Sequence, residues 1–304
     1  MLFRQLEYFV ALARERHFAR AASACFVSQP ALSEAVRKLE RELGVPLVRR
    51  GHSFHGLTPE GERVLLWARR ILADHDSLRD EVTALQQGIT GELRLGVVPA
   101  ASTVAALLTD PFCAAHPLVR VSLETSLRSG DVVERVRDFE LDAGIVYLGD
   151  DGGEDDGVRV RTLYRERQVL IAGDALVPEQ GAPREWAEAL GLPLCLLKPG
   201  MRGRQTLDAA LTERGLSAAP RIETDSVATL LAHVATGRWA SVVPEPWLAA
   251  LPVPAGIRVH RLAGPPVGGR VALVASAAEP ASVLTRAFFE VAGRVDRLRE
   301  FSRD

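Results

Sequence analysis

Between Gly88 and Gly91 the hydrophobic period of the chain changes, and this constrains the fold more than any other feature. Before that point apolar residues recur every three or four positions; after it, short apolar or alternating runs take turns with helical patterns. The chain therefore joins a mainly helical head to an α/β body, and its 304 residues suffice for two or three domains. Apolar residues at 47% and charged residues at 25% exclude a disordered or fibrous chain. No apolar run approaches the roughly 20 residues of a membrane helix. Residues 1–7 mix charge into an amphipathic repeat, unlike a secretory leader, so the expected location is the cytoplasm.

The head carries its own punctuation. Leu2, Leu6, Phe9, Val10 and Ala13 mark a first helix, and the alanine-rich stretch 18–25 marks a second, short one. Residues 26–30 then make a tight turn, with Ser28 as N-cap and Pro30 in the first turn of a third helix. That helix runs to Leu43 with Leu32, Val36 and Leu39 on its inner stripe, and Gly44 stops it. Residues 45–50 and 55–57 read as two short strands. Thr58-Pro59-Glu60 then opens a helix of some 30 residues, roughly 45 Å long. Its apolar positions, Leu65 and Leu72 among them, are too many for a solitary exposed helix.

Two helices around a tight turn make a helix-turn-helix, or else an ordinary helical packing unit. In the first reading Gln29, Ala31, Ser33 and Arg37 face the major groove, where Gln pairs with adenine, Arg with guanine and an alanine methyl with thymine. Arg49, Arg50, His52 and Ser53 on the following ribbon then lie near phosphates or a minor groove. Charge agrees: residues 1–60 hold nine Arg and Lys against six Asp and Glu, while the body beyond residue 90 is acidic.

In the body, strands are expected at 92–98, 119–124, 141–146, 168–172, 194–197, 221–224, 240–243 and 270–276. Helical patterns lie between them, and one closes the chain over 281–299. Such alternation implies parallel-rich sheets with ligands at the carboxyl ends of strands. Ser129-Gly130-Asp131 is a helix start whose N–H groups can hold an anion. Catalytic and metal patterns are weak. His52 and His55 lack a third ligand, and the three cysteines, Cys25, Cys113 and Cys195, are too scattered for a zinc site or a disulfide framework. No cofactor or metal is expected. The acidic tract 150–156 reads as a solvated loop.

Several stretches resemble the LysR-type transcriptional regulators: residues 3–13 (FRQLEYFVALA), 17–22 (HFARAA), 28–33 (SQPALS), 39–47 (LERELGVPL) and 57–61 (LTPEG). The resemblance implies an N-terminal winged helix-turn-helix over 1–57, a linker (dimerisation) helix over 58–90 and an effector-binding domain over 91–304. That last domain is periplasmic-binding-protein-like, with subdomain I at 91–162 and 268–304 and subdomain II at 163–267. The implied function is transcription regulation on double-stranded promoter DNA, under a small-molecule, anionic effector such as a small carboxylate. The implied assembly is a homotetramer, a dimer of dimers in contact with RNA polymerase, its linker helices paired with Leu65 and Leu72 in the seam. DNA contacts fall to Ser28, Gln29, Pro30, Ala31, Ser33, Arg37, Arg49, Arg50, His52 and Ser53. Effector contacts fall to Val98, Ala100, Ser102, Ser129, Met201, Arg202 and Ser226, with Arg202 pairing a carboxylate.

The sequence departs from the family at Val48, where Phe is common, at Glu34, where many members carry a basic or small residue, and at Ala100, where a hydroxyl is frequent. Residues 141–148 and 194–201 resemble a subgroup found beside formate dehydrogenase genes. Two other readings stand beside the leading one: a solute-binding or enzyme-like α/β protein with a helical dimerising head, and a thiol redox sensor of the same family.

Overall fold

The computed structural model describes residues 1–50, 54–148, 157–178, 182–251, 253–295, 298 and 301. The head begins with helices α1 (Phe3–Glu15), α2 (Phe18–Ala24) and α3 (Gln29–Leu43). They enclose Leu6, Phe9, Leu12, Leu32, Val36 and Leu39, all buried. Burying each such side chain stabilises the fold by about 1.5–3 kcal/mol before entropy is counted. Strands β1 (Val48–Arg50) and β2 (Phe54–Leu57) pair antiparallel as a wing.

Two polar side chains fix the wing to the helices. Glu40 Oε1 accepts from the backbone N–H of Leu47 at 2.9 Å and of Val48 at 3.2 Å. Thr58 Oγ1 accepts from Gly61 N at 2.9 Å, capping helix α4 (Pro59–Gln87), and donates to Pro46 O at 2.6 Å. Residue 61 must be glycine, because a Cβ there would lie 2.1 Å from the Leu47 carbonyl oxygen.

Helix α4 divides its apolar face between two neighbours. Leu65 is buried in the head core and Leu72 packs against it. Leu65 is thus part of the head's own core, while Leu72 stays half-buried at its edge. The apolar residues left uncovered are Leu66, Trp67, Leu78, Val82 and Leu85.

The body starts with β3 (Gly91–Val97), a 3-10 turn (Pro99–Ala101), α5 (Ser102–Ala115), β4 (Val119–Glu124), α6 (Ser129–Arg137), β5 (Ala143–Leu148) and β6 (Val158–Arg165). It continues with β7 (Gln168–Gly173), α7 (Trp186–Leu190), β8 (Cys195–Leu197), α8 (Arg202–Glu213), β9 (Ile222–Thr224) and α9 (Val227–Ala235). Strand β10 (Ser241–Pro244), α10 (Trp247–Ala250), β11 (Ile257–Arg261), β12 (Arg270–Ser276) and α11 (Val283–Arg294) complete it. One sheet has the order β4-β3-β5-β12-β6, with β3 parallel to β4 and β5, and β12 antiparallel to β5 and β6. The other has β10-β7-β11, antiparallel throughout. The parallel pair β8-β9 joins it through a bridge between Leu194 and Ala240.

The chain crosses between the sheets twice, and the crossings lie side by side. Glu166 N donates to Gly269 O at 2.9 Å, and Gln168 N donates to Val267 O at 3.1 Å. Strands β6 and β11 and the short helices α7 and α10 were not expected from the sequence. The closing helix is shorter than its apolar pattern, starting at Val283 under a Ser282 cap.

Helix α4 is tied to the first sheet's layer at two places. Arg69 Nη1 donates to Asp138 Oδ2 at 3.4 Å and also pairs with Glu140, while Arg286 Nη2 reaches Glu81 at 2.7 Å. Among the described residues no helix is long and apolar enough to cross a membrane.

Candidate functional site

The first candidate surface is the start of α3. Ser28 Oγ accepts from Ala31 N at 3.3 Å, so the hydroxyl caps the helix. Gln29, Pro30, Ala31 and Arg37 are exposed along it and Ser33 is half-buried. Glu34 lies among them and pairs with Arg41 at 2.7 Å and Arg37 at 3.8 Å, so a carboxylate partly neutralises this face. Arg49 is exposed on β1. The side chain of Arg50 lies outside what the structure describes, as do His52 and Ser53.

Sequence reasoning passed over Phe26 in the turn before α3. It is 96% exposed and holds φ at +55°. An aromatic residue beside Val27 reads as core material from sequence, so the one signal to be found was that the turn needs a left-handed residue there.

The second candidate is a cavity of about 590 Å³ where the two sheets meet. Of the expected effector residues, Val98, Ala100, Ser129 and Met201 line it. Ser102 and Ser226 are not among the lining residues, and both hydroxyls are held locally. Ser102 Oγ donates to Pro99 O at 2.7 Å, and Ser226 Oγ accepts from Thr229 N at 3.2 Å as the cap of α9. Arg202 opens α8 right after the lining residue Met201, and its side chain lies outside what the structure describes. The cavity also takes in Arg128, Tyr147, Gln205, Val227 and Trp247, none of them anticipated.

Each wall is held by a specific bond. Ser129 Oγ accepts from Tyr147 N at 3.2 Å, which fixes the start of α6 against β5. Tyr147 donates its hydroxyl proton to Glu166 Oε1 at 2.6 Å, tying the wall to the crossover. Trp247 Nε1 donates to Ala100 O at 2.6 Å, carrying α10 of the second layer onto the first. Two helices, α6 and α8, begin in its lining, so the first-turn N–H groups and positive dipole ends of both lie at its edge. The remaining lining is largely apolar. The arrangement suits an organic molecule with one acidic end.

Burial pushes the Cys25 and Cys195 thiols up, away from the reactive thiolate form. Among the described residues, no group of three or more His, Cys, Asp or Glu is placed to hold a metal ion.

Comparison with known families and structures assigns the two domains that carry these surfaces. Residues 3–62 match the bacterial regulatory helix-turn-helix protein, lysR family, and residues 86–297 match the LysR substrate binding domain. A probable hydrogen peroxide-inducible genes activator of Streptomyces viridosporus is 34% identical over 278 residues, covering 88% of this chain and 86% of that protein. A local match at 48% identity, to the SDS degradation transcriptional activation protein of a Pseudomonas strain, spans 40% of each chain. A full-length OxyR variant from Pseudomonas aeruginosa superposes with a TM-score of 0.71 at 27% identity, covering 98% of this chain and 95% of that one. Full-length CbnR complexed with its target DNA gives 0.61 at 25% identity, covering 97% and 100%. With a helix-turn-helix at one end and a two-layered ligand cavity at the other, this chain belongs to the LysR family, as a sequence-specific DNA-binding transcriptional regulator with an effector-binding domain.

Proposed function

We propose that this regulator responds to an amphipathic organic acid bound in the 590 Å³ cavity, its carboxylate at the starts of α6 and α8 and its apolar part against Val98, Leu127, Leu197 and Trp247. The size and lining of that cavity carry the reading. A formate-linked role rests on residues 141–148 and 194–201 alone, and a one-carbon acid would leave most of the apolar wall wet. Ser129 and Arg202 sit at the two helix starts, and Arg202 pairs the acid across the cleft.

On the DNA side, α3 enters the major groove with Gln29, Ala31, Ser33 and Arg37 toward base edges, and the wing places Arg49 and Arg50 on phosphate. The fold shared with the DNA-bound CbnR supports this docking. The uncovered apolar side of α4 supports pairing of linker helices between two chains, and a dimer of dimers would span neighbouring half-sites. Contact with RNA polymerase is the remaining step of such a mechanism.

The test of the effector is a thermal-shift and calorimetric screen of the full-length protein against aliphatic and aromatic carboxylates, formate included. Aromatic or medium-chain acids should raise the melting temperature, and Arg202→Ala should remove that rise while leaving basal DNA binding intact. Stabilisation by formate alone, or an unchanged affinity of Arg202→Ala for the best acid, would overturn the assignment.

A further inference from the structure

Phe26 holds a position that its own fold does not explain. Its backbone is left-handed at φ +55°, a conformation that glycine and asparagine adopt freely and a bulky side chain rarely does. The turn itself needs this conformation: Phe26 N donates to Ser23 O at 3.1 Å and Val27 N to Ala22 O at 3.0 Å, which closes α2. The ring gains nothing in exchange, since it is 96% exposed while Cys25 and Val27 on either side are half-buried against the head core. A left-handed backbone that carries an unburied aromatic ring leaves the choice of residue unexplained by the packing of the head, and points outward for its reason.

The place of the residue names that partner. Phe26 stands two positions ahead of Ser28, so its Cα lies at most about 7 Å from the cap of α3. That is beside Gln29 and Ala31, the residues placed at base edges above. In the major groove the apolar group that a phenyl ring can meet is the 5-methyl of thymine. We propose that Phe26 reads a thymine methyl next to the bases contacted by α3, as a specificity-determining residue. This rests on the docking of α3 described above.

The experiment uses the full-length protein and a duplex selected by it from a random-sequence pool. Each thymine of the bound site is replaced singly by deoxyuridine, which removes only the methyl group. At one position in each half-site, wild type should lose about fourfold in affinity, the factor set by one buried methyl group. Phe26→Ala should show the loss already on the thymine duplex and should no longer distinguish thymine from uracil there. Phe26→Gly relieves the backbone, so it should melt no lower than wild type while losing the same discrimination. Discrimination retained by both variants, or a loss spread evenly over all sequences, would overturn the proposal. Arg37→Ala, measured in parallel, separates the two readings. If it relaxes base preference while the Phe26 variants do not, only the thymine contact fails; if neither changes specific binding, the docking of α3 fails.

Discussion

Arg69 of helix α4 donates to Asp138 at 3.4 Å, and Asp138 caps the end of α6, the helix whose first residue, Ser129, lines the 590 Å³ cavity. One helix thus has its start at the cavity proposed to hold the effector and its end on the segment that carries the head. Burial of Asp138 pushes its carboxyl up even though Arg69 pulls it down. Arg69→Ala should leave specific DNA affinity within a few fold and reduce the effector-induced change in that affinity by about 0.5–2 kcal/mol. Titrating DNA with and without saturating acid, for both proteins, measures the coupling. Equal coupling in the two would remove α6 from the path.

Arg37 and Arg49 should fail in different ways. Arg37→Ala is expected to cost about 1–3 kcal/mol on the preferred site and to relax one base pair. Arg49→Ala should weaken all sequences alike and lower the salt slope by about one phosphate. Removing Glu34, which pairs with Arg37 and Arg41, should tighten binding overall. Fluorescence anisotropy on matched and scrambled duplexes at several salt concentrations separates these outcomes.

Assembly is tested on the residues that the fold leaves uncovered. Leu85 is 83% exposed and Leu78 65% exposed on α4. Leu78→Glu with Leu85→Glu should shift the sedimentation coefficient toward that of a monomer without lowering the melting temperature of the chain, because a charge stays solvated on a free helix but not in an apolar seam. Leu65→Glu should instead unfold the head, where Leu65 is buried. A wild type that sediments as a monomer defeats the pairing of linker helices.

The cleft has an internal reporter. Trp247→Phe keeps the apolar bulk but leaves the carbonyl of Ala100 without the donor it has at 2.6 Å. An unsatisfied buried acceptor costs about 1–3 kcal/mol, so the effector domain should melt several degrees lower. Acids that fill the cavity should change tryptophan emission in wild type and change it far less in this variant.

Stability should fall in mild acid through His260. Its side chain is buried on β11, Nε2 has no partner among the described residues, and Arg184 and Arg258 face it with Asp174. Burial, then the two arginines, lower its pKa from the ordinary 6.5, outweighing Asp174. Below 6.5 the unfolded chain therefore binds the proton before the folded one does. The contribution is full above that value and is lost as the pH falls toward the depressed folded pKa. Urea unfolding from about pH 7.5 to about pH 5 should show the loss, and His260→Gln should flatten it.

The head was legible because its signals are local. A cap, a first-turn proline and a terminal glycine each act within four residues, so the sequence around Ser28, Pro30 and Gly44 determined where α3 starts and stops. The Thr58 and Gly61 pairing was written in the same way, although only the structure shows that Gly61 is needed for the approach of Leu47. Strand β6 escaped detection despite its alternating Val158-Arg159-Val160-Arg161, because its partner β12 lies far downstream and nothing local marks such pairing. Leu65 and Leu85, 20 residues apart, lie on roughly opposite sides of α4, and only packing decides which of the two apolar sides the head covers. The cavity is wholly a tertiary product. Val98, Ser129, Tyr147, Met201 and Trp247 come from five separate stretches, joined when the chain crosses twice between sheets at Glu166 and Gly269. Periodicity fixes which face of an element is apolar; which faces meet depends on loop closure and long-range pairing, and those forces leave no mark within a few residues.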